Sequence, residues 1–148
     1  MELMLDNNIV IDKLCQREPF YKLSNKVCLL GLVGDANTHI SVNMLSDIFY
    51  ILRKDYGNMR AQEMILENLS YLKLCGVSAD DGIASLRQEW DDFEDCLVAR
   101  CAENVKADYI ITRNPGDFKR SLVPALTPEE LFELLKDRDG LWYEEIEL

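Results

Sequence analysis

With 148 residues, the chain has the length of one domain and enough residues to bury one substantial core. Its 27 acidic residues outnumber its 16 basic residues, which gives a net charge of −11 and argues against a protein that binds nucleic acid by broad neutralisation of phosphates. The same acidity suits a divalent metal site, because hard cations prefer oxygen ligands.

The cysteines and the N-terminus indicate a cytoplasmic protein. The N-terminal residues show no basic region followed by an apolar run, and the most apolar run, 27–33, is far too short to span a membrane. The cysteines are odd in number and form no CxxC pair, which argues against a zinc knuckle and a disulfide framework. We therefore expect small buried thiols in a reducing cytoplasm, and no membrane partner.

Short apolar runs predict strands along the chain, and apolar residues spaced by three or four predict helices. In chain order the predicted elements are a strand at 3–5, a helix at 19–34, a strand at 38–42, a helix at 43–56, a helix at 60–72, a strand at 74–77, helices at 79–89 and 93–105, strands at 109–112 and 123–126, and a helix from 128. Strands that alternate with helices predict an α/β layered fold with a parallel sheet.

Several helix boundaries carry capping signals. Asn43 is expected to cap the helix that Gly57 ends, and Asp92 to cap the helix that begins at Phe93. Thr127-Pro128-Glu129-Glu130 has the pattern of a capping box, with threonine at the N-cap, proline at N1 and glutamate at N3.

Aspartates fall where a parallel sheet gathers its functional residues, at the carboxyl ends of the strands. Asp6 follows the first strand directly, and Asp117 lies in the loop after the strand at 109–112. Asp47 lies in the first turns of the helix after the second strand, and Asp92 and Asp95 lie at the start of a later helix. Crowded carboxylates repel one another unless a cation neutralises them, so this convergence predicts a divalent metal.

Each acid also has a plainer structural interpretation. Asp92 is a good N-cap with Asp95 at N3, Asp47 favours the positive end of its helix dipole, and Asp117 is typical of a Pro-Gly turn. Asp6 is the hardest to explain structurally, because a buried acid without partners is costly.

Other chemistries find less support. His39 is the only histidine and lies within a predicted strand, so we expect it to have a structural or surface role. The phosphate-binding patterns GxxxxGK[ST] and GxGxxG do not occur. Dehalogenase-like phosphatases need a second aspartate two residues after the first, where this chain has Asn8, and receiver domains need paired acids after the first strand.

Five segments, taken in order, resemble PIN-domain nucleases over about residues 2 to 135. They match the family's opening strand with its Asp-Thr-Asn signature, the apolar helix that follows an acidic residue, an Asp-Phe-Glu-Asp-Ala-Leu helix start, the last core strand with its Thr-Arg-Asn turn and Asp-Phe, and the usual ending. In this chain the segments are Leu3-Met4-Leu5-Asp6-Asn7-Asn8, residues 46–53, Asp92-Phe93-Glu94-Asp95-Cys96-Leu97, residues 107–114 with Asp117-Phe118, and Val123-Pro124 with residues 127–130.

The resemblance implies a three-layer α/β/α sandwich with a central, mostly parallel sheet. It implies a nuclease domain at 1–136 followed by a C-terminal tail at 137–148, whose Leu141, Trp142, Tyr143 and Ile146 would pack on the body or on a second subunit. The implied activity is hydrolysis of RNA phosphodiester bonds with Mg²⁺ or Mn²⁺. Many similar proteins are toxins of toxin–antitoxin pairs, which implies a cognate antitoxin and a homodimer.

By motif position, the resemblance implies a catalytic and metal-binding quartet of Asp6, Asp47, Asp95 and Asp117. The implied auxiliary residues are the acid Asp92 and the polar supports Asn8, Thr112 and Asn114.

Three basic residues after the strand at 109–112, namely Arg113, Lys119 and Arg120, are candidates for contacting RNA phosphates or a solvated basic patch. Two departures from the family pattern are Asn7 in place of the usual threonine and Asp47 in place of the commoner glutamate. The acidic surface and the shorter side chain of Asp47 support an alternative function, a PIN-like module that binds RNA or protein with little or no cleavage.

Overall fold

The computed structural model describes residues 1–140 of the chain. The strands are β1 (Glu2–Leu5), β2 (Asn37–Ser41), β3 (Leu72–Cys75), β4 (Tyr109–Ile111) and β5 (Ala125–Leu126). The helices are α1 (Asn7–Leu14), α2 (Tyr21–Val33), α3 (Met44–Tyr56), α4 (Asn58–Asn68), α5 (Ala79–Arg87), α6 (Phe93–Asn104) and α7 (Pro128–Asp139), with a short 3-10 helix at Pro115–Phe118.

The sheet is parallel throughout, with the strand order β3-β2-β1-β4-β5. Strand β1 is central, since Leu3 pairs with Thr38 of β2 on one side and with Tyr109 of β4 on the other. The chain builds outward from β1 in one direction and then returns to build in the other. The strand order therefore reverses between β1 and β4, which is where parallel sheets open a crevice at their carboxyl ends.

The helices divide into two groups of mutual contacts. Helix α1 packs against α2 and α3, α3 packs against α4, and α2 also meets α7. Helix α6 packs against α5 and the 3-10 helix. Right-handed crossovers place these groups on opposite faces of the sheet, and the predicted three-layer α/β/α sandwich is confirmed.

Both faces of the sheet are covered, so its central strands are apolar without alternation. Leu3, Met4 and Leu5 of β1 and Ile110 and Ile111 of β4 are fully buried. This continuous core fixes the positions of the residues that follow each strand.

Glycine is required where α2 crosses the sheet. A Cβ atom at Gly31 would lie 2.3 Å from Oγ1 of Thr38 on β2 and 3.2 Å from the carbonyl oxygen of Tyr71. Helix α2 therefore lies against the backbone of the sheet at a distance that only glycine permits.

Most predicted elements are present, and several details of the prediction were wrong. The helix predicted at 60–72 covers Asn58–Asn68, because the chain after it turns into a strand, and the strand predicted at 123–126 covers Ala125–Leu126. Helix α1 was not predicted, because the polar residues at its start were interpreted as the end of a strand. Asn43 makes no side-chain capping bond, since its own backbone is helical and its Oδ1 accepts from the hydroxyl of Ser41 instead. Strand β3 begins at Leu72, two residues before the predicted start.

The remaining sequence predictions concern single residues and the tail. All five cysteines are free thiols, and His39 is a buried strand residue whose ring pairs with the Glu2 carboxylate, as its structural interpretation predicted. Helix α7 ends at Asp139, and the residues predicted to pack as a tail lie outside the described part of the chain. Within residues 1–140, no helix is long and apolar enough to cross a bilayer.

Candidate active site

Asp6 lies at the reversal point of the sheet. It directly follows β1, and its carboxylate caps α1 by accepting a hydrogen bond from the backbone N–H of Asn7 at 2.7 Å. Its backbone N–H donates to the carbonyl oxygen of Ile111 in β4, so the residue bridges the two strands. The side chain is buried, with 9% of the residue exposed.

The second carboxylate oxygen of Asp6 is held by two neutral donors. The hydroxyl of Thr112, a fully buried residue directly after β4, donates to Oδ2 at 2.8 Å. The side-chain amide of Asn8 donates to the same oxygen at 3.1 Å. The backbone N–H of Asn114 donates in turn to the Thr112 hydroxyl at 3.1 Å, which orients that hydroxyl toward Asp6.

The pKa of Asp6 is raised above its usual range. Burial is the main cause, because it removes the charged form from water. The hydrogen bonds from Thr112 and from the backbone of Asn7 act in the opposite direction, whereas the negative charges of Asp117 and Asp92 add to the rise. Asp6 is thus a carboxylate held in place in a site that penalises its charge.

The start of α6 brings two further aspartates to this point. Asp92 is the N-cap of α6 and accepts a hydrogen bond from the backbone N–H of Asp95 at 3.1 Å. Burial raises the pKa of Asp95 to about 7, with further contributions from the charges of Asp92, Asp6, Asp117 and Glu94. These mutual effects show that the carboxylates from β1, α6 and the 3-10 helix share one electrostatic environment.

A cleft of about 200 Å³ opens beside these acids. Its lining combines carboxylates with two cationic residues and one indole, and it consists of Trp90, Asp91, Asp92, Asp95, Gly116, Asp117, Lys119 and Arg120. The 3-10 helix supplies Asp117, because Pro115 at its start turns the chain directly after β4. The cleft is therefore the place where a ligand can approach the aspartates.

The charges of Asp47 and of the other acids act together on the pKa of Glu94. Asp47 lies half-buried in the first turn of α3. Burial raises the pKa of Glu94, and the charges of Asp47, Asp92 and Asp6 raise it further. Glu94 was not among the predicted site residues, although it lies inside the 92–97 segment that carries the family resemblance.

The donor chemistry of the site fits a hard divalent cation, while its side chains are not yet arranged as a ligand set. Carboxylate oxygens are the ligands that Mg²⁺ prefers, and a cation would relieve the repulsion that raises the pKa of Asp6 and Asp95. Across residues 1–140, no group of three or more His, Cys, Asp and Glu side chains is placed to hold a metal ion. The described side chains would have to change rotamers to ligate a cation together.

The three predicted basic residues fall in two different places. Lys119 and Arg120 line the cleft. Arg113 lies over the ring of Phe20 at 4.1 Å and forms an ion pair with the fully buried Asp12 of α1, with Nε and Oδ2 2.8 Å apart. That close contact lacks hydrogen-bond alignment, so its stabilising contribution is ionic. Arg113 thus fastens the loop after β4 to α1.

A family model described as PIN domain matches residues 2–115. No curated protein sequence shows a significant match to the chain. The sequence match therefore covers β1 to the start of the 3-10 helix, the region that holds Asp6, Asp47, Asp95 and Thr112.

Solved structures with the same fold come from several bacteria. VapBC2 from Rickettsia felis, bound to a DNA fragment from its promoter, has a chain that matches with a TM-score of 0.64 and 24% identity over 86% of this chain and 98% of its own. A toxin–antitoxin complex from Klebsiella pneumoniae matches with a TM-score of 0.60 and 22% identity over 85% of this chain and 97% of its own. VapC20 from Mycobacterium tuberculosis, a toxin that cleaves the Sarcin-Ricin loop, matches with a TM-score of 0.59 and 10% identity over 73% of this chain and 86% of its own.

Proposed function

The chain belongs to the PIN-domain family, and on that premise we propose that it is a metal-dependent endoribonuclease that hydrolyses RNA phosphodiester bonds. The observation that carries the proposal is the convergence at the β1–β4 reversal point. There a buried Asp6 shares its electrostatic environment with Asp92 and Asp117, and Asp95 senses all three charges. Such a cluster is costly for an apo protein and suits one that binds a divalent cation.

In this proposal Asp6, Asp47, Asp95 and Asp117 hold Mg²⁺ or Mn²⁺, which when bound supplies Lewis-acid activation of water and neutralises charge on the phosphate. Glu94 adds a carboxylate beside the short side chain of Asp47, whose charge contributes to the raised pKa of Glu94. Hydrolysis by a metal-activated water needs no side-chain nucleophile. This agrees with a chain whose single histidine is buried in β2.

The neutral residues of the site keep Asp6 in a fixed orientation. Thr112 and Asn8 both donate to Oδ2, and Asn114 fixes the hydroxyl of Thr112. Partners that orient a ligand in this way commonly change metal affinity or activity by about 10- to 100-fold when they are removed. Asp92 has a different role, because its capping bond sets the first turn of α6 and so the position of Asp95.

Metal-dependent thermal stability and RNA cleavage, measured together, test the proposal. Mn²⁺ or Mg²⁺ should raise the melting temperature of the native chain, because a ligand that binds only the folded state stabilises it. Asp6→Asn should lose both this gain and cleavage, whereas the matched control Asp55→Asn, at an exposed position in the last turn of α3, should keep both. Cleavage that survives Asp6→Asn would refute the assignment of this site.

One observation favours a second candidate, a PIN-like module that binds RNA or protein without cutting. Within the described chain, no three potential ligands are arranged around a common point, and Asp47 stands where the family commonly has a longer glutamate. A module of this kind would bind RNA equally well with and without the metal and leave it intact. Metal binding with RNA cleavage excludes this candidate.

We also propose that the protein is the toxin of a toxin–antitoxin pair, with a cognate antitoxin protein as its partner. Support comes from its structural relatives, which include VapBC2 and a second toxin–antitoxin complex. Induced expression in a bacterial host should arrest growth, and if the neighbouring gene encodes a small DNA-binding protein, its co-expression should restore growth. Arrest by the native chain but not by Asp6→Asn would tie toxicity to the site, and equal growth of both strains would refute the proposal.

The oligomeric state and compartment follow from the same proposal. A toxin of this family acts on RNA in the cytoplasm, and we expect a homodimer. Light scattering on the purified full chain measures the mass directly, against 17.1 kDa for one copy. A single-copy mass at all concentrations up to those used for cleavage would contradict the homodimer.

A further inference from the structure

The ion pair between Asp12 and Arg113 lies one turn of α1 away from Asn8, which helps to hold Asp6. Asp12 is in the second turn of α1 and its side chain is fully buried, whereas Arg113 directly follows Thr112. Asn8 and Asp12 are four residues apart, so they share one face of the helix. This face of α1 meets the loop after β4 at two successive turns.

At the first of these turns, Asn8 joins the loop to Asp6. Its amide nitrogen donates to Oδ2 of Asp6 at 3.1 Å and to the hydroxyl of Thr112 at 3.4 Å. Its side-chain oxygen accepts from the backbone N–H of Arg113 at 3.4 Å. Both contacts with the loop are long for hydrogen bonds. At the second turn the contact is short, since Nε of Arg113 lies 2.8 Å from the buried carboxylate of α1.

Stability alone is a poor explanation of this ion pair. Both carboxylate oxygens of Asp12 and Nε of Arg113 are shielded from water and make no hydrogen bond. Burial raises the pKa of Asp12, while the charges of Arg113 and Arg17 lower it. Apolar residues of similar volume commonly stabilise a fold as well as or better than a buried ion pair does. A pair at this position is better explained if it fixes one arrangement of α1 and the loop.

The side chain of Arg113 is engaged within the protein. Its Nε faces Asp12, and the centroid of the Phe20 ring lies 4.1 Å from its guanidinium carbon. The side chain of Asp12 exposes no surface, so it cannot contact RNA. Any effect of Asp12 on the site therefore acts through the positions of α1 and of the loop.

We propose that Asp12 and Arg113 are positioning residues of the candidate active site. The pair holds the loop after β4 against α1, so that Thr112 and Asn8 keep their hydrogen bonds to Asp6. Through these donors it sets the affinity of the site for a divalent cation. The inference rests on the proposed function, because it concerns the same metal site. On this interpretation Arg113 acts on the site and does not bind an RNA phosphate.

Hydrogen exchange of the metal-free protein tests the positioning without an activity measurement. The informative amides are those of residues 113 and 114, which donate to the side chains of Asn8 and Thr112. Asp12→Asn and Arg113→Gln should each lower their protection by roughly 2- to 10-fold, the scale of weakening one hydrogen bond. The N–H of Asp95, in the first turn of α6, should keep its native protection.

Calorimetric titration with Mn²⁺ and steady-state RNA cleavage measure the consequence at the site. Each single variant should lose about tenfold or more in Mn²⁺ affinity, as expected when a partner that orients a ligand is removed. Cleavage should show a lower kcat with an unchanged KM, because neither residue touches RNA. Arg113→Lys keeps the charge and should lose less than Arg113→Gln.

A double variant separates positioning from stability. Asp12→Leu combined with Arg113→Met replaces the ion pair by apolar side chains of similar size, so its urea unfolding midpoint should be equal to or higher than the native one. It should nevertheless show the loss of protection at residues 113 and 114 and the loss of Mn²⁺ affinity. This variant keeps the test decisive if a single variant fails to fold.

A matched control breaks an ion pair elsewhere in the molecule. Arg100→Gln removes the cation beside Asp81, a buried carboxylate that joins α5 to α6. The control should unfold at a lower urea concentration. It should keep the native protection of residues 113 and 114 and the native affinity for Mn²⁺.

The outcomes distinguish this inference from the proposed function. Native protection at residues 113 and 114, or native Mn²⁺ affinity in the folded variants, would overturn the inference and leave the ribonuclease proposal intact. A higher KM with an unchanged kcat in Arg113→Gln would assign this arginine to RNA instead. Loss of protection and of Mn²⁺ affinity in a chain that never cuts RNA would support the positioning pair and overturn the ribonuclease proposal. A native chain that binds no Mn²⁺ would overturn both.

Discussion

Asp6 and Asp81 are buried aspartates at the N-terminal ends of their helices, and their pKa values are shifted in opposite directions. Asp81 forms a capping box with Ser78 at the start of α5, and its Oδ1 accepts from Asn104 at 3.0 Å and from the guanidinium of Arg100 at 2.9 Å. The Asn104 amide, the Ser78 backbone N–H and the Arg100 guanidinium hold the pKa of Asp81 well below its usual range.

Asp6 is equally buried, yet its oxygens are held by a hydroxyl, an amide and a backbone N–H. Burial and the neighbouring carboxylates raise its pKa, against the pull of those donors. The fold is therefore able to neutralise a buried aspartate with a cation of its own, as it does at Asp81. The described hydrogen-bond donors to Asp6 are all neutral, and in the proposed function a bound divalent cation supplies the positive charge there.

The largest expected effect comes from removing the charge at each position. Asp6→Asn should lower RNA cleavage by at least about 100- to 1000-fold, on the scale of losing one preorganised electrostatic group in an active site. Asp81→Asn should leave kcat unchanged at a temperature where the variant is folded. A steady-state cleavage assay on the two variants measures both effects. An equal loss of activity in Asp81→Asn and Asp6→Asn would contradict the distinction between the two aspartates.

The second prediction concerns stability, for which the larger loss is expected at Asp81. Asp81→Ala removes the capping box and leaves Arg100 and Asn104 without their acceptor, so the free energy of unfolding should fall by roughly 2 to 4 kcal/mol. Asp6→Asn should raise it when no metal is present, since a penalised buried charge disappears. Urea unfolding in EDTA measures both changes, and shifts of the same sign would contradict the distinction.

The third prediction concerns the neutral donors of Asp6. Thr112→Val keeps the shape of the buried side chain and removes the hydroxyl that donates to Oδ2, so metal affinity should fall by about tenfold or more. Thr112→Ser restores the hydroxyl and should recover most of that loss. Calorimetric titration with Mn²⁺ gives both affinities, and equal affinities for the valine and serine variants would show that the hydrogen bond contributes nothing.

The smallest effect is the pH dependence at Asp81. Because the folded pKa lies below the unfolded value of about 3.8, the carboxylate stabilises the fold above that value, and the contribution disappears as the pH falls toward the folded pKa. The stability difference between the native chain and Asp81→Asn should thus be constant from neutral pH to about pH 5 and shrink below about pH 4. A difference that grows in acid would mean that the pKa of Asp81 is raised instead.

The sequence was sufficient to predict most of the sheet and the identity of its family. The buried runs at β1 and β4 are apolar on both faces, and such runs are recognisable in sequence because both helical layers cover them. The capping box at Thr127 was also predicted correctly, with both of its hydrogen bonds present. These features depend on neighbouring residues, so local patterns are enough to identify them.

One local feature and several features that depend on distant partners were missed. Helix α1 was overlooked because Asp6-Asn7-Asn8 was taken for the polar end of a strand, whereas Asp6 caps a helix there. Arg113 was a candidate for phosphate contacts, and its pairing with Asp12 depends on a fold that brings α1 to the loop after β4. Glu94 was missed although it lies inside the 92–97 segment, and Trp90 reaches the cleft only through the fold of the α5–α6 connection.

The hydrogen bond between Thr112 and Asp6 joins residues that are 106 positions apart in the sequence. During translation, Thr112 is therefore added more than a hundred residues after Asp6. Until Thr112 has been added, the nascent chain lacks the end of the site that follows β4, namely Thr112, Asn114 and Asp117. If the chain cuts RNA as proposed, its site is therefore incomplete on the nascent chain until the residues after β4 have been synthesised.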